Sequence, residues 1–423
     1  MANKIALAFS QFYERTPLEP SAMENYLISD RESNYEWQRH GESVIFVIMD
    51  AAVVEEEIAN DVQELLEEHF SDRESAEIGL ETEFTEQSHY ERKILDDRSW
   101  QKEWEEFETK LKNETRHFNQ FGVKLLNRIF EGIETRQTEE GIKLVTTVGP
   151  ESNIKTLYRA RVFQSNAKLQ DALRHPDLQL GPPPNLYALP GRMNARGISM
   201  FYGAIEEDIA IGEVRPPVGS KVVVAKFDIL KELKLLNLNA LTKVNSEGSI
   251  FDPNYIRQLE RDIFLRKLSD KMSNPVMPED ETMDYLITQA IADYLAVESK
   301  VNFDGIMYPS VQSDKEGINI VLFHKSSRVE PYRWELDVNL GSYTEEGWEW
   351  DYYVMGKTRK SAPIFRKYYS DLMGEEIIIN TDKDSREPTL AIDIQSIRIH
   401  HVKAVKFLKD FHNLSFIDDF KNI

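Results

Sequence analysis

The 423-residue sequence contains no cysteine, which excludes disulfide bonds, thiolate nucleophiles and metal centres held by cysteine. It also lacks the basic start and apolar core of a secretion signal. No apolar run approaches the roughly 20 residues of a membrane-spanning helix. The longest candidate, residues 44–54, is interrupted by Asp50. We therefore expect a cytoplasmic protein without membrane attachment.

Basic residues are scarce relative to acidic ones. The 51 lysines and arginines face 73 aspartates and glutamates, so the formal net charge is -22. Such a chain repels phosphates over most of its surface, which argues against non-specific binding to nucleic acid or anionic membranes. A local basic pocket for one small phosphorylated ligand remains compatible with this charge. We expect no nucleic-acid partner.

The residue patterns divide the chain into three zones, at 1–150, 151–330 and 331–423. In the first zone, apolar residues recur at helical spacing over 45–70 and 100–130. Between Glu55 and Arg116, 21 acidic residues stand against 8 basic ones. These features predict a helical bundle whose acidic faces are solvated or, alternatively, form a surface for a basic partner.

The other two zones are richer in strands. The second combines β-type runs at 156–163, 199–205, 221–229, 303–310 and 318–323 with helical stretches at 253–272 and 282–299. This mixture predicts an α/β domain. The third zone contains further β-type runs at 332–338, 348–356, 375–380, 389–394 and 396–405. It forms either a separate domain or an extension of the same sheet. The predicted fold class is α+β: a helical bundle, a mixed domain and a strand-rich C-terminal extension.

Common catalytic motifs are absent from this sequence. It has no G-x-G-x-x-G in a suitable context and no H-E-x-x-H. The adjacent His400 and His401 lie in a predicted strand, where neighbouring side chains point to opposite faces. They are therefore not expected to bind one metal ion together, and no metal site is predicted.

The middle zone carries an ordered set of polar residues that suit a phosphorylated ligand. Glycines at 191 and 197 allow a backbone to approach a ligand closely, and guanidinium groups suit phosphate. Each residue alone has an ordinary explanation, as a surface arginine, a core aromatic, a charge at a helix end or a turn hydroxyl. The set consists of Arg159, Arg192, Asn194, Tyr202, Glu213, Ser310 and Asn319.

In this order, the residues resemble the RES domain family, named for its arginine, glutamate and serine. The matching motifs are YRAR, GRMN, FYGAIEEDIAIGEV and DGIMYPSVQ, followed by GINIVLF. The resemblance covers about Leu157 to Phe323, and Met193 replaces the tryptophan of the family's G-R-W-N. The first zone is similar to HEPN-type helical domains. It lacks the R-x4-6-H pattern of HEPN ribonucleases, so RNA cleavage is not implied.

The resemblance implies a fold like that of ADP-ribosyltransferases and a toxin or defence effector that degrades NAD+. Such enzymes cleave the nicotinamide–ribose bond, with phosphate or water as acceptor, and need no bound cofactor. Glu213 would stabilise the oxocarbenium-like sugar and hold a ribose hydroxyl. Arg159 and Arg192 would hold the pyrophosphate or orient phosphate, and Tyr202 would stack on nicotinamide or ribose.

The same resemblance assigns Asn194, Ser310 and Asn319 to substrate binding. Ser310 would also fix Glu213, and no paired base is visible that would make it a nucleophile.

Two alternatives stay open at this point. In the first, the enzyme transfers ADP-ribose to a protein or nucleic acid. In the second, the chain is a non-catalytic interaction protein whose acidic helical zone forms the binding surface. An antitoxin, a regulatory protein and a homo-oligomer are all compatible with the sequence. We further hypothesise that the helical zone controls the NAD pocket in cis.

Overall fold

The computed structural model describes residues 2–30, 32–70, 81–274, 276–277, 279, 281–313, 317–332, 334–359, 365–369, 376–380, 384–406 and 409–414. Contacts group the chain into two units. Unit 1 comprises residues 1–144 and 240–271, and unit 2 comprises residues 145–239 and 272–423. The domain limits predicted at residues 150 and 330 stay a prediction.

The α-helices of the described residues are short, with two exceptions of 15 and 19 residues. Two π-helical turns, Lys110–Glu114 and Tyr294–Glu298, directly follow the helices that end at Thr109 and Asp293. The helices are α1 Ala2–Phe12, α2 Ala22–Ser29, α3 Val44–Ala52, α4 Glu56–Phe70, α5 Arg98–Thr109, α6 Gln120–Ile129, α7 Asn166–Arg174, α8 Pro176–Gln179, α9 Glu207–Glu213, α10 Leu238–Leu241, α11 Tyr255–Ser273 and α12 Glu281–Asp293.

The strands lie mainly in the second half of the chain. They are β1 Tyr13–Arg15, β2 Glu42–Ser43, β3 His89–Arg92, β4 Val145–Val148, β5 Thr156–Phe163, β6 Phe201–Ala204, β7 Lys221–Ile229, β8 Leu233–Asn237, β9 Gly305–Pro309, β10 Ile318–Leu322, β11 Trp334–Thr344, β12 Gly347–Arg359, β13 Phe365–Tyr369, β14 Glu376–Asn380 and β15 Leu390–His401. Helices and mixed sheets together confirm the predicted α+β fold class.

Unit 2 is built on an eight-stranded sheet in the order β15-β7-β5-β6-β10-β9-β8-β4. Every neighbouring pair is antiparallel except β8 and β9, which are parallel. One face packs a large apolar core that includes Leu157, Phe201 and Phe227. The opposite face carries a small core of alanines and valines under α9.

The sheet is nearly divided between β5 and β6. β5 pairs with β7 over eight residues, but with β6 only at Tyr158 and Ala204. Gly203 lies beside this junction, where an added Cβ would stand 3.0 Å from the carbonyl oxygen of Tyr158 and 2.7 Å from the Phe201 ring. The two strands therefore approach closely at one point and separate on either side, which leaves room for a cleft.

Strand β15 of the C-terminal zone extends the sheet of the middle zone, whereas β11 with β12 and β13 with β14 form two separate two-stranded sheets. Strand β15 pairs with β7 from Leu390, opposite Ile229, to His401, opposite Lys221. Its register shifts between Asp393 and Arg398, so the two predicted runs form one strand with a bulge. The predicted run at 375–380 falls partly on residues outside the described set.

Unit 1 combines helices with the three-stranded sheet β1-β3-β2. The helical spacing over 45–70 corresponds to two helices, α3 and α4. Val53 takes a left-handed backbone conformation at φ 52°, which ends α3 before α4 begins. The HEPN-like character of this region stays a prediction. Among the described helices, none is both long and apolar enough to traverse a bilayer.

Candidate active site

A pocket of about 240 Å³ lies at the junction of β5 and β6 in unit 2. Five elements line it, so residues far apart in sequence meet there. They are Tyr158, Arg159 and Ala160 of β5, Tyr202 and Gly203 of β6, Ala210, Glu213 and Val214 in or after α9, Tyr308 of β9 and Asn319 of β10. Four of the seven residues singled out from the sequence therefore line one cavity.

Glu213 is the acidic residue of this pocket and the last residue of α9. Its Oε1 accepts hydrogen bonds from Ser310 Oγ at 2.6 Å and from Asn319 Nδ2 at 2.7 Å. Both donors are almost fully buried, at 0% and 2% exposure. Within the described part of the chain, Oε2 receives no protein hydrogen bond. One oxygen is thus fixed, and the other is available to a ligand.

Sheet register explains how the two donors reach Glu213. Asn319 lies opposite Ala204 on one side and Tyr308 on the other, so it occupies the middle of the sheet beside the pocket. Ser310 follows β9 directly, and its backbone N–H donates to the carbonyl of Gly317 at 2.7 Å. The pairing of β9 with β10 therefore holds both side chains in place.

Arg159 supplies a positive charge to the pocket. Its guanidinium lies 5.1 Å from the centre of the Phe201 ring, and NH1 donates to the carbonyl oxygen of Tyr202 at 3.3 Å. Burial lowers the pKa of Arg159 to about 10, so the group stays charged near neutral pH. A half-buried cation with one backbone hydrogen bond keeps most of its donors for an anionic ligand.

Tyr202 joins the pocket to the GRMN loop. Its hydroxyl donates to Asn194 Oδ1 at 2.7 Å and accepts from the Met193 N–H at 3.2 Å. Burial raises the pKa of Tyr202, so the phenol stays protonated. The ring lines the cavity while its hydroxyl binds the loop, which permits contact with a ligand ring.

Asn194 and Arg192 lie outside the lining of the pocket. The Asn194 side-chain amide donates to the carbonyls of Leu189 at 2.8 Å and Ile198 at 3.0 Å, so this asparagine organises the loop. Arg192 NH1 donates to the carbonyl of Met272 at 3.0 Å. Both residues stay predicted as substrate-binding, and their described contacts are to the protein.

Helix α12 fixes the GRMN loop from the other side. Gln289 Nε2 donates to the carbonyl of Gly191 at 2.8 Å, and Thr288 Oγ1 donates to the carbonyl of Arg192. The position of the loop is therefore set by α12 as well as by Tyr202.

Sequence reasoning missed Tyr158 and Tyr308, which both line the pocket. Burial raises the pKa of Tyr308, and nearby Arg192 partly opposes this shift. Its hydroxyl is therefore a neutral hydrogen-bond donor. The signal was present, because Tyr308 lies in the motif DGIMYPS two residues before Ser310, but only the strand register brings it opposite Asn319.

Met193 occupies the place of the family's tryptophan. Its side chain is fully buried, at 0% exposure, so the packing position is retained with a smaller group. The substitution leaves the hydrogen bond from its backbone N–H to Tyr202 intact.

Comparison with known proteins supports the resemblance found in the motifs. Residues 156–339 match the family model of the RES domain. That family is associated in general with toxins that act on NAD. A search of curated proteins finds no match to this chain. The match includes β5, β6, α9, β9 and β10, and therefore every element that lines the pocket.

Proposed function

We propose that this pocket binds NAD+ and cleaves its nicotinamide–ribose bond, and that the protein acts as a toxin or defence effector. One observation carries the proposal: a carboxylate fixed by two buried donors lies in the same cavity as a half-buried arginine. That combination suits a substrate with a cationic leaving group at one end and a pyrophosphate in its middle. The match to the RES domain supports the same substrate.

The proposed reaction is substitution at the anomeric carbon C1′ of the ribose. The C1′–nitrogen bond breaks, and its electron pair returns to the pyridinium ring, which leaves as neutral nicotinamide. No general acid is required for this departure. Positive charge develops on the sugar, and a carboxylate close to C1′ stabilises it. Glu213 Oε2 is the atom assigned to this task or to a ribose hydroxyl.

An oxygen nucleophile then completes the reaction. Water gives ADP-ribose after losing a proton, whereas inorganic phosphate gives ADP-ribose 1″-phosphate. The cavity of about 240 Å³ suits the nicotinamide riboside end of the substrate, and the remaining part extends outside it. Arg159 would bind the pyrophosphate by forked hydrogen bonds.

The first test is product analysis with the purified full-length chain. Incubation with NAD+, with and without phosphate, followed by mass spectrometry, is expected to show free nicotinamide together with ADP-ribose or its 1″-phosphate. Adenine-labelled NAD+ and a cell lysate distinguish transfer to a macromolecule, because label would then remain on a large product. Intact NAD+ in all these mixtures would refute the proposal and favour a non-catalytic interaction protein.

The second test is Glu213→Gln, which keeps the shape of the side chain but removes its charge. We expect turnover to fall by about 10²–10³-fold, the range found when a transition-state stabilising group is lost. Glu206→Gln, at the exposed position just before α9, is the matched control and should retain activity. Near-normal NAD+ consumption by Glu213→Gln would show that the site is wrongly assigned.

A further inference from the structure

Helix α9 carries Glu213 but has a weak apolar anchor of its own. Its fully buried residue is Ala210, which packs against a small core of alanines and valines, while Ile209 and Ile211 pack against the same core but stay only partly buried. Small side chains bury little area, and burial stabilises by only about 25 cal/mol per Å². The helix has seven residues, and its N-cap, Glu206, makes no side-chain capping bond. Its orientation therefore depends on polar contacts at its ends as well as on this packing.

Ser310 and Asn319 bind Glu213 at the C-terminal end of α9. Strand β15 contacts the N-terminal end of this helix. At the first position of α9, Glu207 Oε2 accepts from Arg398 NH1 at 2.7 Å, and Oε1 lies 2.7 Å from His400 Nε2. The Glu207 side chain is 19% exposed whereas Arg398 is 68% exposed, so the contact is shielded from water on the Glu207 side. Each carboxylate oxygen has its own partner, which restricts rotation of the group.

The register of β15 places both partners on the face that α9 covers. Arg398 lies opposite Val224 and His400 opposite Val222, the two valines of the small core. On the other face, His401 accepts or donates a hydrogen bond with the Tyr352 hydroxyl at 2.8 Å. The two histidines therefore point to opposite faces, as predicted. Between Asp393 and Arg398, β15 has three more residues than the paired stretch of β7, and because this number is odd, the irregularity sets which face each of these side chains occupies.

We propose that Glu207, Arg398 and His400 are positioning residues that set the orientation of Glu213 through α9. The inference rests on the proposed function of the pocket. Glu207 and Glu213 are separated by about 9 Å along the helix axis at 1.5 Å per residue. A tilt at one end therefore displaces the carboxylate at the other. Since β15 lies beyond residue 339, this support comes from outside the segment that matches the RES domain.

The test compares kcat and KM for NAD+ in full-length variants. Glu207→Gln and Arg398→Gln are each expected to lower kcat about tenfold and to change KM less than twofold, because Arg159 is untouched. The double variant should be no slower than either single one, since both act through one contact. Arg398→Lys keeps a cation and should retain kcat within about threefold of the unchanged chain.

Glu387→Gln is the matched control, because it breaks another 2.7 Å ion pair, with Lys231, that also ties the segment before β15 to the sheet. It should leave kcat unchanged. Circular dichroism at the assay temperature shows whether each variant is folded. Folded Glu207→Gln with normal kcat, or additive losses in the double variant, would overturn the positioning role. An unchanged chain that does not consume NAD+ would instead refute the proposed function itself.

Discussion

At the scale of single residues, the site depends on how Glu213 is held. A flexible carboxylate would lose orientation and would have to reorganise during the reaction. For the proposed reaction, hydrogen bonds from two buried donors avoid that cost, because they fix Oε1 before a ligand binds. The residue types Ser310 and Asn319 are uncharged, so they orient the carboxylate without neutralising it.

This arrangement predicts different losses at the two donors. Ser310→Ala removes one bond and should lower kcat about tenfold, since about 1.4 kcal/mol corresponds to a factor of ten. Asn319→Asp is nearly isosteric but places a second carboxylate beside the first, so we expect a loss of about 100-fold or more. Steady-state assays with NAD+ measure both effects. Asn185→Asp, at an exposed position, should be neutral, and equal losses in all three variants would contradict this account.

The sequence identified four of the ten residues that line the pocket, because motifs record residue types in order. Arg159, Tyr202, Glu213 and Asn319 line the cavity, and Ser310 binds Glu213 directly. The sequence could not distinguish these residues from Asn194, which serves its own loop. That distinction depends on three-dimensional partners, which an ordered list of residues does not contain.

At the scale of elements, alternation predicted β5 and β7 with their observed bounds but not their neighbours. Strands β4 and β8 were missed, although the equally short β6, β9 and β10 were predicted. The pairing of β15 with β7 was also invisible, since the register shift between Asp393 and Arg398 depends on the partner strand. Long-range pairing is therefore what the sequence failed to supply.

Strand β15 is predicted to be essential for the sheet, although it lies outside the matched segment. It covers the edge of β7, and Leu390 is fully buried in the large core. A chain ending at residue 387 would expose that edge and lose this contact. We expect it to aggregate, as unpaired strand edges do. Soluble yield and size-exclusion chromatography measure the effect.

A chain ending at residue 406 is the control for this deletion. It retains β15, so its yield and melting temperature should stay close to those of the full chain. A soluble, fully active chain ending at residue 387 would show that β15 is dispensable.

At the scale of the whole molecule, unit 1 is assembled from two separate stretches of chain. Residues 240–271, which fall within the stretch matched by the RES model, group with residues 1–144. In unit 1, Phe264 packs against Trp100 and Trp104. Removing residues 1–144 alone would therefore expose the apolar side chains of residues 240–271, which we call the inserted segment. Control of the pocket in cis stays a prediction, and testing it requires removal of both stretches.

A buried ion pair links the two stretches of unit 1. Arg136 NH2 contacts Asp262 Oδ1 and also donates to Ser246 Oγ at 2.7 Å. The Asp262 side chain is 0% exposed. Because the pair is shielded from water, removing one partner leaves an uncompensated buried charge, which costs about 3–5 kcal/mol. Asp262→Asn should therefore lower the melting temperature of unit 1 by several degrees, which scanning calorimetry measures.

Replacing both partners separates the cost of a lone charge from the value of the pair. In Arg136→Met with Asp262→Leu, no buried charge remains, and apolar groups of similar volume often substitute without loss. We expect this double variant to recover most of the stability that Asp262→Asn loses. Glu247→Gln, at an exposed position in the same inserted segment, should be neutral. If the double variant were as unstable as Asp262→Asn, the pair itself would be what joins the two stretches. If Asp262→Asn melted like the unchanged chain, the contact would contribute nothing to their association.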